Sequence, residues 1–223
     1  MRGLTPSFNF RNCPCPGARP CSRTSFQGRQ AAIDRYSDTR SQALSLFADK
    51  GYGNVGMREL ASALGVACGS IYNHIESKQA LLYEFFEELL ELLRLKAEQI
   101  QQQVAAPSRL RAIIEMHLEL QLCMPCHFQI MEREWPTLSE PWLSQAAAQR
   151  LKYEQAVAAA LGCHGTNLGC AKAVVTLLNQ AQAWLPGVAA RTEQRVELVH
   201  GVVKLVLDQA APKGGPAGLD LAD

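Results

Sequence analysis

The segment Leu60–Lys78 constrains the fold of this chain more than any other part of the sequence. Two sets of apolar residues within it each have the spacing of one helical face: Leu60, Ala61 and Leu64, then Ile71, Tyr72 and Ile75. Gly65 follows the first set, at a position where a helix commonly ends in a residue with positive φ. The segment therefore predicts two short helices joined by a turn of about three residues, which is the pattern of a helix-turn-helix.

The second of these helices presents small or polar side chains between its apolar positions: Cys68, Gly69, Ser70, Asn73 and His74. Small side chains allow close approach to a groove of DNA, and the polar tips of Tyr72 and His74 can reach phosphate oxygens. Lys78 adds a positive charge just past the end of the helix. The segment predicts a DNA-reading element, although a plain helical hairpin would share its apolar spacing.

The flanking residues contain further motifs in a fixed order. Three segments follow one another: Phe-Ala-x-Lys-Gly-Tyr at 47–52, Leu-Ala-x-x-Leu-Gly-Val at 60–66 and Tyr-x-His-x-x-x-Lys at 72–78. With these motifs, Arg40–Leu82 closely resembles the N-terminal DNA-binding domain of the TetR family of bacterial transcriptional regulators. The resemblance implies an all-α chain, in which a three-helix DNA-binding domain precedes a helical ligand-binding and dimerisation domain.

The resemblance implies a DNA-contacting role for eight positions: Arg58, Cys68, Gly69, Ser70, Tyr72, Asn73, His74 and Lys78. In the family, the residues matching 68–70 face the major groove, and those matching 72, 74 and 78 usually hold the phosphate backbone. The position of Arg58 commonly touches phosphate or a base. Because Cys68 and Ser70 are weak readers, Arg58 and Asn73 are the better candidates for bidentate contacts with guanine and adenine. Alternatively, Asn73 faces the phosphate backbone.

Two positions depart from the family pattern at helix caps. The family usually has Ser or Thr at the positions of Gly56 and Ala67, which precede the two motif helices. Gly costs only a few tenths of a kcal/mol as an N-cap, whereas Ala can cost ~1 kcal/mol. The second motif helix is therefore expected to be weakly held, and Ala67→Ser is expected to raise thermal stability.

Length and charge agree with a local rather than a bulk interaction with DNA. The chain has 223 residues, 48% of them hydrophobic, and a formal net charge of +1. This length suits a DNA-binding domain at 31–80 and a larger helical domain at 81–211. With a net charge near zero, positive potential must be concentrated at the DNA face. No apolar run approaches the ~18 residues of a membrane span, and a cytoplasmic location is predicted.

Residues 1–30 differ from the rest of the chain in composition. They contain five arginines and no acidic residue. Such a segment is predicted to be disordered, and it holds no apolar stretch long enough for a secretory signal. It is interpreted either as a basic arm that follows the minor groove or, more simply, as an extension without function. Residues 212–223 are also predicted to be a disordered tail.

The rest of the chain has helical periodicity. Predicted helices follow one another along it: Leu81–Val104, Arg109–Met124, Phe128–Glu134, Pro141 to about Leu161, Asn167–Leu185 and Thr192–Ala210. The last two are too apolar for solvated surface helices. In the family, the last two helices of each subunit form a four-helix bundle across a two-fold axis, so a homodimer is predicted. The alternative is that both helices belong to an internal core.

An effector site is predicted between the middle helices. Nine residues are expected to line it: Met116, Leu120, Met124, His127, Phe128, Met131, Trp135, Tyr153 and Trp184. Its three methionines favour an adaptable, mostly apolar cavity. His117, His127 and Tyr153 are candidate polar anchors, although each is more often an ordinary core residue. Glu134 and Arg150 are interpreted as a structural ion pair.

Cysteines leave a different kind of sensor open. Cys123-Met124-Pro125-Cys126-His127 matches the C-x-x-C-H pattern of haem attachment, but that chemistry needs export, for which no signal is visible. A redox or metal sensor would use residues from this set: Cys123, Cys126, His127, Cys163, His164 and Cys170. A structural zinc site needs four ligands in a tetrahedron. The simpler interpretation is that the cysteines are free thiols that pack as small apolar side chains. No metal or cofactor is predicted.

The sequence as a whole predicts a ligand-responsive transcriptional regulator, most simply a repressor. It would bind a palindromic double-stranded DNA operator as a homodimer and be released by a small, mostly apolar effector. An enzyme that uses the helical body is the competing class. The sequence contains no G-x-S-x-G, Walker, H-E-x-x-H or dinucleotide-binding motif, so nothing points to catalysis. No membrane partner is predicted.

Overall fold

The structure is a computed structural model that describes residues 40–73, 75–162, 168–185 and 192–210. In these residues every regular element is a helix and no strand occurs, which confirms the all-α prediction. The helices are α1 (40–50), α2 (Met57–Ala63), α3 (Lys78–Gln103), α4 (Ala106–Cys123), α5 (Pro125–Glu134), α6 (Trp142–Ala160), α7 (Leu168–Asn179), α8 (Ala181–Trp184) and α9 (Thr192–Ala210). Three 3₁₀ helices lie at Tyr52–Asn54, Cys68–Asn73 and Trp135–Thr137. The predictions for residues 1–30, His74, Cys163, His164 and 212–223 lie outside the described residues.

The described residues form two compact units. The first, which we call the head unit, contains 40–86 and 120–143. The second, the body unit, contains 87–119 and the described residues from 144 onward. The boundaries between the units fall inside α3 and α4 and just after the start of α6. The segment 120–143, which the sequence assigns to a domain at 81–211, is therefore grouped with the helix-turn-helix.

Apolar residues of α1, α2 and the start of α3 form the core of the helix-turn-helix. Five large side chains are almost fully buried there: Phe47, Leu60, Ile71, Leu81 and Phe85. The ring of Phe47 meets those of Tyr52 at 5.4 Å and Phe85 at 6.3 Å, both edge to face. These are favourable arrangements for aromatic pairs. Burial of the predicted apolar positions therefore holds the motif together.

The turn after α2 forms where the sequence predicts it. Gly65 has a φ of 64°, and its amide donates to the carbonyl oxygen of Ser62 at 3.1 Å. The next amide, of Val66, donates to the carbonyl oxygen of Ala61 at 3.0 Å. This pair of hydrogen bonds is a Schellman motif, which ends a helix and redirects the chain. Glycine is favoured at this position because the backbone is left-handed there.

Most predicted helices are present, with their ends shifted by a few residues. α3 begins three residues before the predicted Leu81 because the hydroxyl of Ser77 accepts a hydrogen bond from the amide of Ala80 at 2.9 Å. This contact is an N-cap, which supplies a partner to one of the free amides of the first turn. Pro107 stands in the first turn of α4, where its missing N–H costs no helical hydrogen bond.

The predicted helix Asn167–Leu185 is interrupted in the structure. α7 ends at Asn179 and α8 begins at Ala181. The indole Nε1 of Trp184 donates to the carbonyl oxygen of Leu177 at 3.3 Å. Carbonyls in the last turn of a helix lack intrahelical partners, so this side chain supplies one beside the break.

In the body unit, α7 packs against α9. Both helices bury small and branched side chains: Ala171, Val174, Val175 and Leu178 of α7, then Val196, Val199 and Val203 of α9. No helix in the described part of the chain combines the length and the apolar character that crossing a membrane would require.

Candidate DNA interface and effector site

Five of the predicted DNA-contacting residues are exposed, and we call them the reading face: Arg58, Cys68, Gly69, Tyr72 and Asn73. Tyr72 is 65% exposed, and a Cβ built on Gly69 would meet no atom within 4 Å. Arg58, Tyr72 and Asn73 have no hydrogen-bond or ionic partner among the residues that the structure describes. Ser70 is half-buried. The exposed groups are therefore free to meet an external partner.

Charges within residues 40–86 balance, since four Lys and Arg minus four Asp and Glu give zero. Two cations are paired with carboxylates: Arg40 with Glu84 at 3.5 Å, and Lys50 with Glu59. Lys78 binds a backbone carbonyl oxygen. Arg58 is the remaining cation, and no partner for it occurs in the described residues. Arg58 is thus the cation most available to a phosphate or a base.

Lys78, for which the sequence predicts a phosphate contact, is held inside the head unit. Its Nζ donates to the carbonyl oxygen of Tyr52 and lies 4.1 Å from the centroid of the Tyr52 ring. Burial lowers the pKa of Lys78, and the carboxylate of Glu134 acts in the opposite direction. An ammonium group has three donors, so the bond to Tyr52 leaves two for other partners. The phosphate contact of Lys78 stays a prediction.

Neither motif helix has a side-chain cap. Gly56 is the N-cap residue of α2 and makes no side-chain hydrogen bond. Cys68–Asn73 forms a 3₁₀ helix rather than an α-helix, and the amide of Ser70 donates to the carbonyl oxygen of Ala67 at 2.8 Å. Hydrogen bonds in 3₁₀ helices have poorer geometry than in α-helices. The reading element is therefore short, and Ala67 offers it no side-chain acceptor.

Within the head unit, three residues of α5 form hydrogen bonds with the backbone at the end of α1 and just after it. We call these residues the clasp: Gln129, Arg133 and Glu134. Arg133 Nη2 donates to the carbonyl oxygens of Phe47 at 2.5 Å and Ala48 at 2.9 Å. Gln129 Nε2 donates to the same oxygen of Ala48 at 3.1 Å. The last carbonyls of a helix often lack backbone partners. Here the carbonyl oxygen of Phe47 also accepts from the amide of Gly51 at 3.0 Å, whereas the amide of Tyr52, four residues after Ala48, donates to Glu134 instead. The clasp therefore caps α1 from a distant part of the sequence.

Glu134 connects the clasp to the turn that follows α1. Its Oε1 accepts hydrogen bonds from the amide of Tyr52 at 3.1 Å and from Arg133 Nε at 2.7 Å, and the residue is 5% exposed. These contacts differ from the ion pair with Arg150 that the sequence predicts. Arg150 Nε instead donates to Glu154 at 3.1 Å, one turn further along α6. Spacing at i, i+4 explains that pairing.

Gln79, near the start of α3, binds the loop after α5. Its Nε2 donates to the carbonyl oxygen of Thr137 at 2.9 Å, and its Oε1 accepts from the amide of Ser139 at 3.1 Å. Sequence reasoning missed these residues and the clasp, because the contacts join parts of the chain 58 to 86 residues apart. One signal was available: Glu134 follows His127, Ile130 and Met131 on the buried side of α5, where an acidic residue needs a partner.

A comparison with protein families agrees with this geometry. Residues 40–85 match the family model described as bacterial regulatory proteins, tetR family. The helix-turn-helix part of this chain is therefore similar to the DNA-binding domain of the TetR family. The HTH-type transcriptional repressor KstR2 of Mycolicibacterium smegmatis (strain ATCC 700084 / mc(2)155) is 31% identical over 65 residues, which are 29% of this chain. The match covers 32% of KstR2, so the chain spans about a third of the length of this curated relative.

Two solved structures are similar to this chain over most of its length. The regulator PfmR from Thermus thermophilus has a TM-score of 0.63 and 24% identity, and the match covers 76% of this chain and 97% of PfmR. AibR, in complex with isovaleryl coenzyme A and operator DNA, has a TM-score of 0.61 and 23% identity, with 75% and 97% covered. At these identities the likeness shows the fold: a helix-turn-helix domain followed by a helical C-terminal domain.

The residues predicted to line an effector site divide between the two units. Six belong to the head unit: Leu120, Met124, His127, Phe128, Met131 and Trp135. Met116, Tyr153 and Trp184 belong to the body unit. In the head unit, Trp135 stacks on Phe86 at 5.8 Å, and His127 meets Phe85 edge to face at 6.0 Å. These two side chains pack as core, and an effector contact for all nine stays a prediction.

A buried polar pair lies in the body unit. His117 Nδ1 and the hydroxyl of Tyr153 are 3.0 Å apart, and both residues are fully buried. Burial lowers the pKa of His117 to about 3, against a smaller opposite effect of its hydrogen bond with Asn179. Burial also raises the pKa of the Tyr153 hydroxyl. Both groups are therefore neutral near pH 7, and the pair offers hydrogen bonds without charge.

The cysteines of the predicted sensor are spread over the chain. Cys123 and Cys126 are half-buried in the head unit, and Cys170 is half-buried in the body unit. Cys68 is exposed on the reading face. Among the described residues, no group of three His, Cys, Asp or Glu side chains could hold a metal ion. The redox or metal-sensing alternative stays a hypothesis.

One face of α9 is apolar and exposed. Leu198 is 39% exposed and Leu205 is 66% exposed. They are seven residues apart, which places them on the same side of a helix. A Cβ built on Gly201, which lies between them, would meet no atom within 4 Å. Because Val199 and Val203 of α9 are buried, the helix has apolar residues on both its inner and its exposed side.

Proposed function

We propose that this chain is a ligand-responsive transcriptional regulator, most simply a repressor, that binds a palindromic DNA operator. The observation that carries the proposal is the reading face, whose Arg58, Tyr72 and Asn73 have no partner among the described residues. Polar side chains that a fold leaves exposed beside a glycine can enter a groove and meet base edges or phosphates. The match of residues 40–85 to the TetR family supports the same conclusion.

Selection from a pool of random DNA duplexes tests this proposal. The wild-type chain is expected to enrich an inverted repeat, since two-fold symmetric regulators read two equivalent half-sites. Arg58→Ala is expected to abolish the enrichment. Lys152→Ala, which removes an exposed cation of α6, is the matched control and is expected to retain it. A folded wild-type chain that enriches no sequence would contradict the proposal.

We also propose that the chain acts as a homodimer through the last helices. The exposed stripe of Leu198, Gly201 and Leu205 on α9 supports this, because an apolar face with an open glycine permits close packing of a second helix. Leu198→Glu with Leu205→Glu is expected to yield monomers in analytical ultracentrifugation. Leu122→Glu is the control, since Leu122 is 54% exposed on α4. Dimers that survive the double change would contradict this interface.

The effector is proposed to be small and mostly apolar, with one neutral polar group bound in the body unit. His117 and Tyr153 support this chemistry, because a buried neutral pair can hydrogen-bond a carbonyl or hydroxyl but cannot compensate a charge. Isovaleryl coenzyme A is a suitable first probe, since the structure of AibR contains it. Its small apolar acyl group and neutral thioester carbonyl are the parts that this pair would contact, and its charged coenzyme A part would lie away from the pair.

Thermal unfolding with this probe tests the effector site. Isovaleryl coenzyme A is expected to raise the Tm of the wild-type chain, whereas coenzyme A alone is not. Tyr153→Phe removes only the hydroxyl and is expected to lose the rise. Tyr72→Phe makes the same chemical change at an exposed position and is expected to keep it. A full rise in Tyr153→Phe would contradict a role for this hydroxyl.

A further inference from the structure

We propose that Glu134 and Arg133 are positioning residues for DNA binding, which act through the Tyr52 turn to hold the Lys78 ammonium where it binds a DNA phosphate. The inference rests on the proposed function, because it assumes that the head unit binds DNA. It adds that two residues of α5, which lies far along the chain from the helix-turn-helix, determine the phosphate contact of Lys78. Four linked contacts support it, and each lies within the head unit.

The first link runs from the clasp to the turn after α1. Arg133 donates to the carbonyl oxygen of Phe47 at 2.5 Å and to the carboxylate of Glu134 at 2.7 Å. Arg133 therefore connects this carboxylate to the end of α1. Glu134 Oε1 then accepts the amide of Tyr52 at 3.1 Å. Gly51, with a φ of 85°, precedes this amide, and a Cβ built there would lie 3.6 Å from Glu134 Oε1.

The second link runs from that turn to Lys78. The amide of Tyr52 binds Glu134, and the carbonyl oxygen of the same residue accepts from Lys78 Nζ. One backbone residue therefore connects the carboxylate to the ammonium. The ring of Tyr52 lies 4.1 Å from Nζ and that of Phe47 lies 6.0 Å from it, both within the range of cation–π attraction. The ammonium is thus confined by a carbonyl oxygen and two rings.

This confinement changes what Lys78 can contribute to DNA binding. A surface lysine loses rotamer freedom when it grips a phosphate, and this loss weakens binding. Lys78 is already fixed at the start of α3, directly after the reading element, and two of its three donors remain for a phosphate. Glu134 also favours the charged form of Lys78, which burial alone disfavours. Removing the clasp should therefore weaken a specific ionic contact.

The salt dependence of DNA affinity distinguishes this role from a general loss of stability. A plot of the logarithm of the affinity against the logarithm of the salt concentration has a negative slope. Each phosphate that the protein no longer neutralises lowers the magnitude of this slope by about 0.9, and slopes are compared below by their magnitude. We would use a duplex enriched by the wild-type chain and compare three variants: Lys78→Met, Glu134→Leu and their combination. Leucine removes the acceptor of the Tyr52 amide, which glutamine would keep. Glu132→Leu is the matched control, because Glu132 is exposed on the same helix and has no partner among the described residues.

Lys78→Met is expected to weaken binding about tenfold and to lower the slope by about one. Glu134→Leu is expected to lower the slope by a similar amount, and the double variant is expected to lower it no further. Glu132→Leu is expected to leave slope and affinity unchanged. If Glu134→Leu fails to fold, Arg133→Gln replaces it, with the same expected result, since that side chain is 41% exposed and easier to exchange.

Two outcomes would overturn the inference. The first is a clasp variant that binds more weakly with the wild-type slope, which is the behaviour of a purely structural residue. The second is a double variant whose slope falls by the sum of the single changes, which would show that the clasp and Lys78 act independently. Failure of the proposed function would look different, because the wild-type chain would then enrich no duplex.

Discussion

The head unit and the body unit use polar side chains in opposite ways. In the head unit, Arg133 and Glu134 bind backbone atoms 82 to 86 residues away along the chain, while Arg58 and Tyr72 of the reading face bind nothing that the structure describes. In the body unit, the fully buried His117 binds Tyr153. The head unit therefore contains both exposed polar groups without a partner and polar groups that are hydrogen-bonded to its backbone. The His117–Tyr153 pair of the body unit is instead buried away from solvent.

This difference separates positions that determine stability from positions that determine binding. An exposed side chain without a partner can be removed at little cost to folding. A hydrogen-bonded group at low exposure cannot, because its removal leaves the other partner unsatisfied. Substitutions of the reading face should therefore change DNA affinity with little effect on stability, whereas substitutions of the clasp should lower stability as well as DNA affinity. In the body unit, the buried histidine should make stability depend on pH.

The largest expected effect is on DNA binding by the reading face. Arg58→Ala with Tyr72→Ala is expected to weaken binding of the enriched duplex about a hundredfold, because it removes one charged and one polar contact. The free energy of unfolding in urea is expected to change by less than about 0.5 kcal/mol, since both side chains are exposed. A larger loss of stability would contradict the distinction between the exposed residues of the reading face and the hydrogen-bonded residues of the clasp.

The second expected effect concerns His117 and pH. Its folded-state pKa of about 3 lies below the ordinary 6.5, so the unfolded chain binds more protons between these values. The folded state is therefore favoured above pH 6.5 and loses stability as the pH falls toward 3. Between pH 7 and pH 5, this residue alone should remove about 2 kcal/mol from the free energy of unfolding.

A histidine variant isolates this contribution from those of other titrating groups. In His117→Gln, the loss of stability between pH 7 and pH 5 is expected to be about 2 kcal/mol smaller than in the wild-type chain. His200→Gln changes a half-buried histidine of α9 and serves as the control, with a wild-type loss expected. If His117→Gln and the wild-type chain lose stability equally, His117 is not kept neutral by burial in the folded state.

The third expected effect is a loss of stability when the clasp is removed. Arg133→Ala removes two hydrogen bonds from the last turn of α1, and should lower the free energy of unfolding by about 1–2 kcal/mol. Glu132→Ala, on the exposed side of α5, should change it by less than about 0.5 kcal/mol. Equal stability of the two variants in urea would show that the clasp does not hold α1.

The same contrast explains what sequence alone can and cannot predict. The reading face is local: its apolar spacing, Gly65 and the motif residues all lie within about twenty positions, so periodicity and turn chemistry define it. The clasp joins α5 to the end of α1, and no local rule pairs Arg133 with the carbonyl of Phe47. The sequence assigns Glu134 the wrong partner for the same reason, although its place on the buried side of α5 is visible in the sequence.

Helix ends show a smaller version of this limit. The sequence predicts Thr192–Ala210 with the bounds that the structure has, because polar flanks frame a continuous apolar pattern. It does not predict the break between α7 and α8, since no proline or glycine marks it and the contact beside it depends on the indole of Trp184. It predicts a short helix that carries Ile71 and Tyr72, but the apolar spacing does not predict that Cys68–Asn73 takes the 3₁₀ form.

The smallest expected effect is a gain at the start of the reading element. Ala67→Ser would place a hydroxyl beside the amides of Gly69 and Ser70, at a position where the backbone already closes a hydrogen bond of 2.8 Å between Ser70 and residue 67. An N-cap of this kind is worth about 0.5–1 kcal/mol, so the Tm should rise by a few degrees. Ala147→Ser, at an exposed position inside α6, is the control and should lower stability slightly, because serine is a poorer helix former than alanine. A Tm that is unchanged in Ala67→Ser would mean that the reading element is limited by something other than its missing cap.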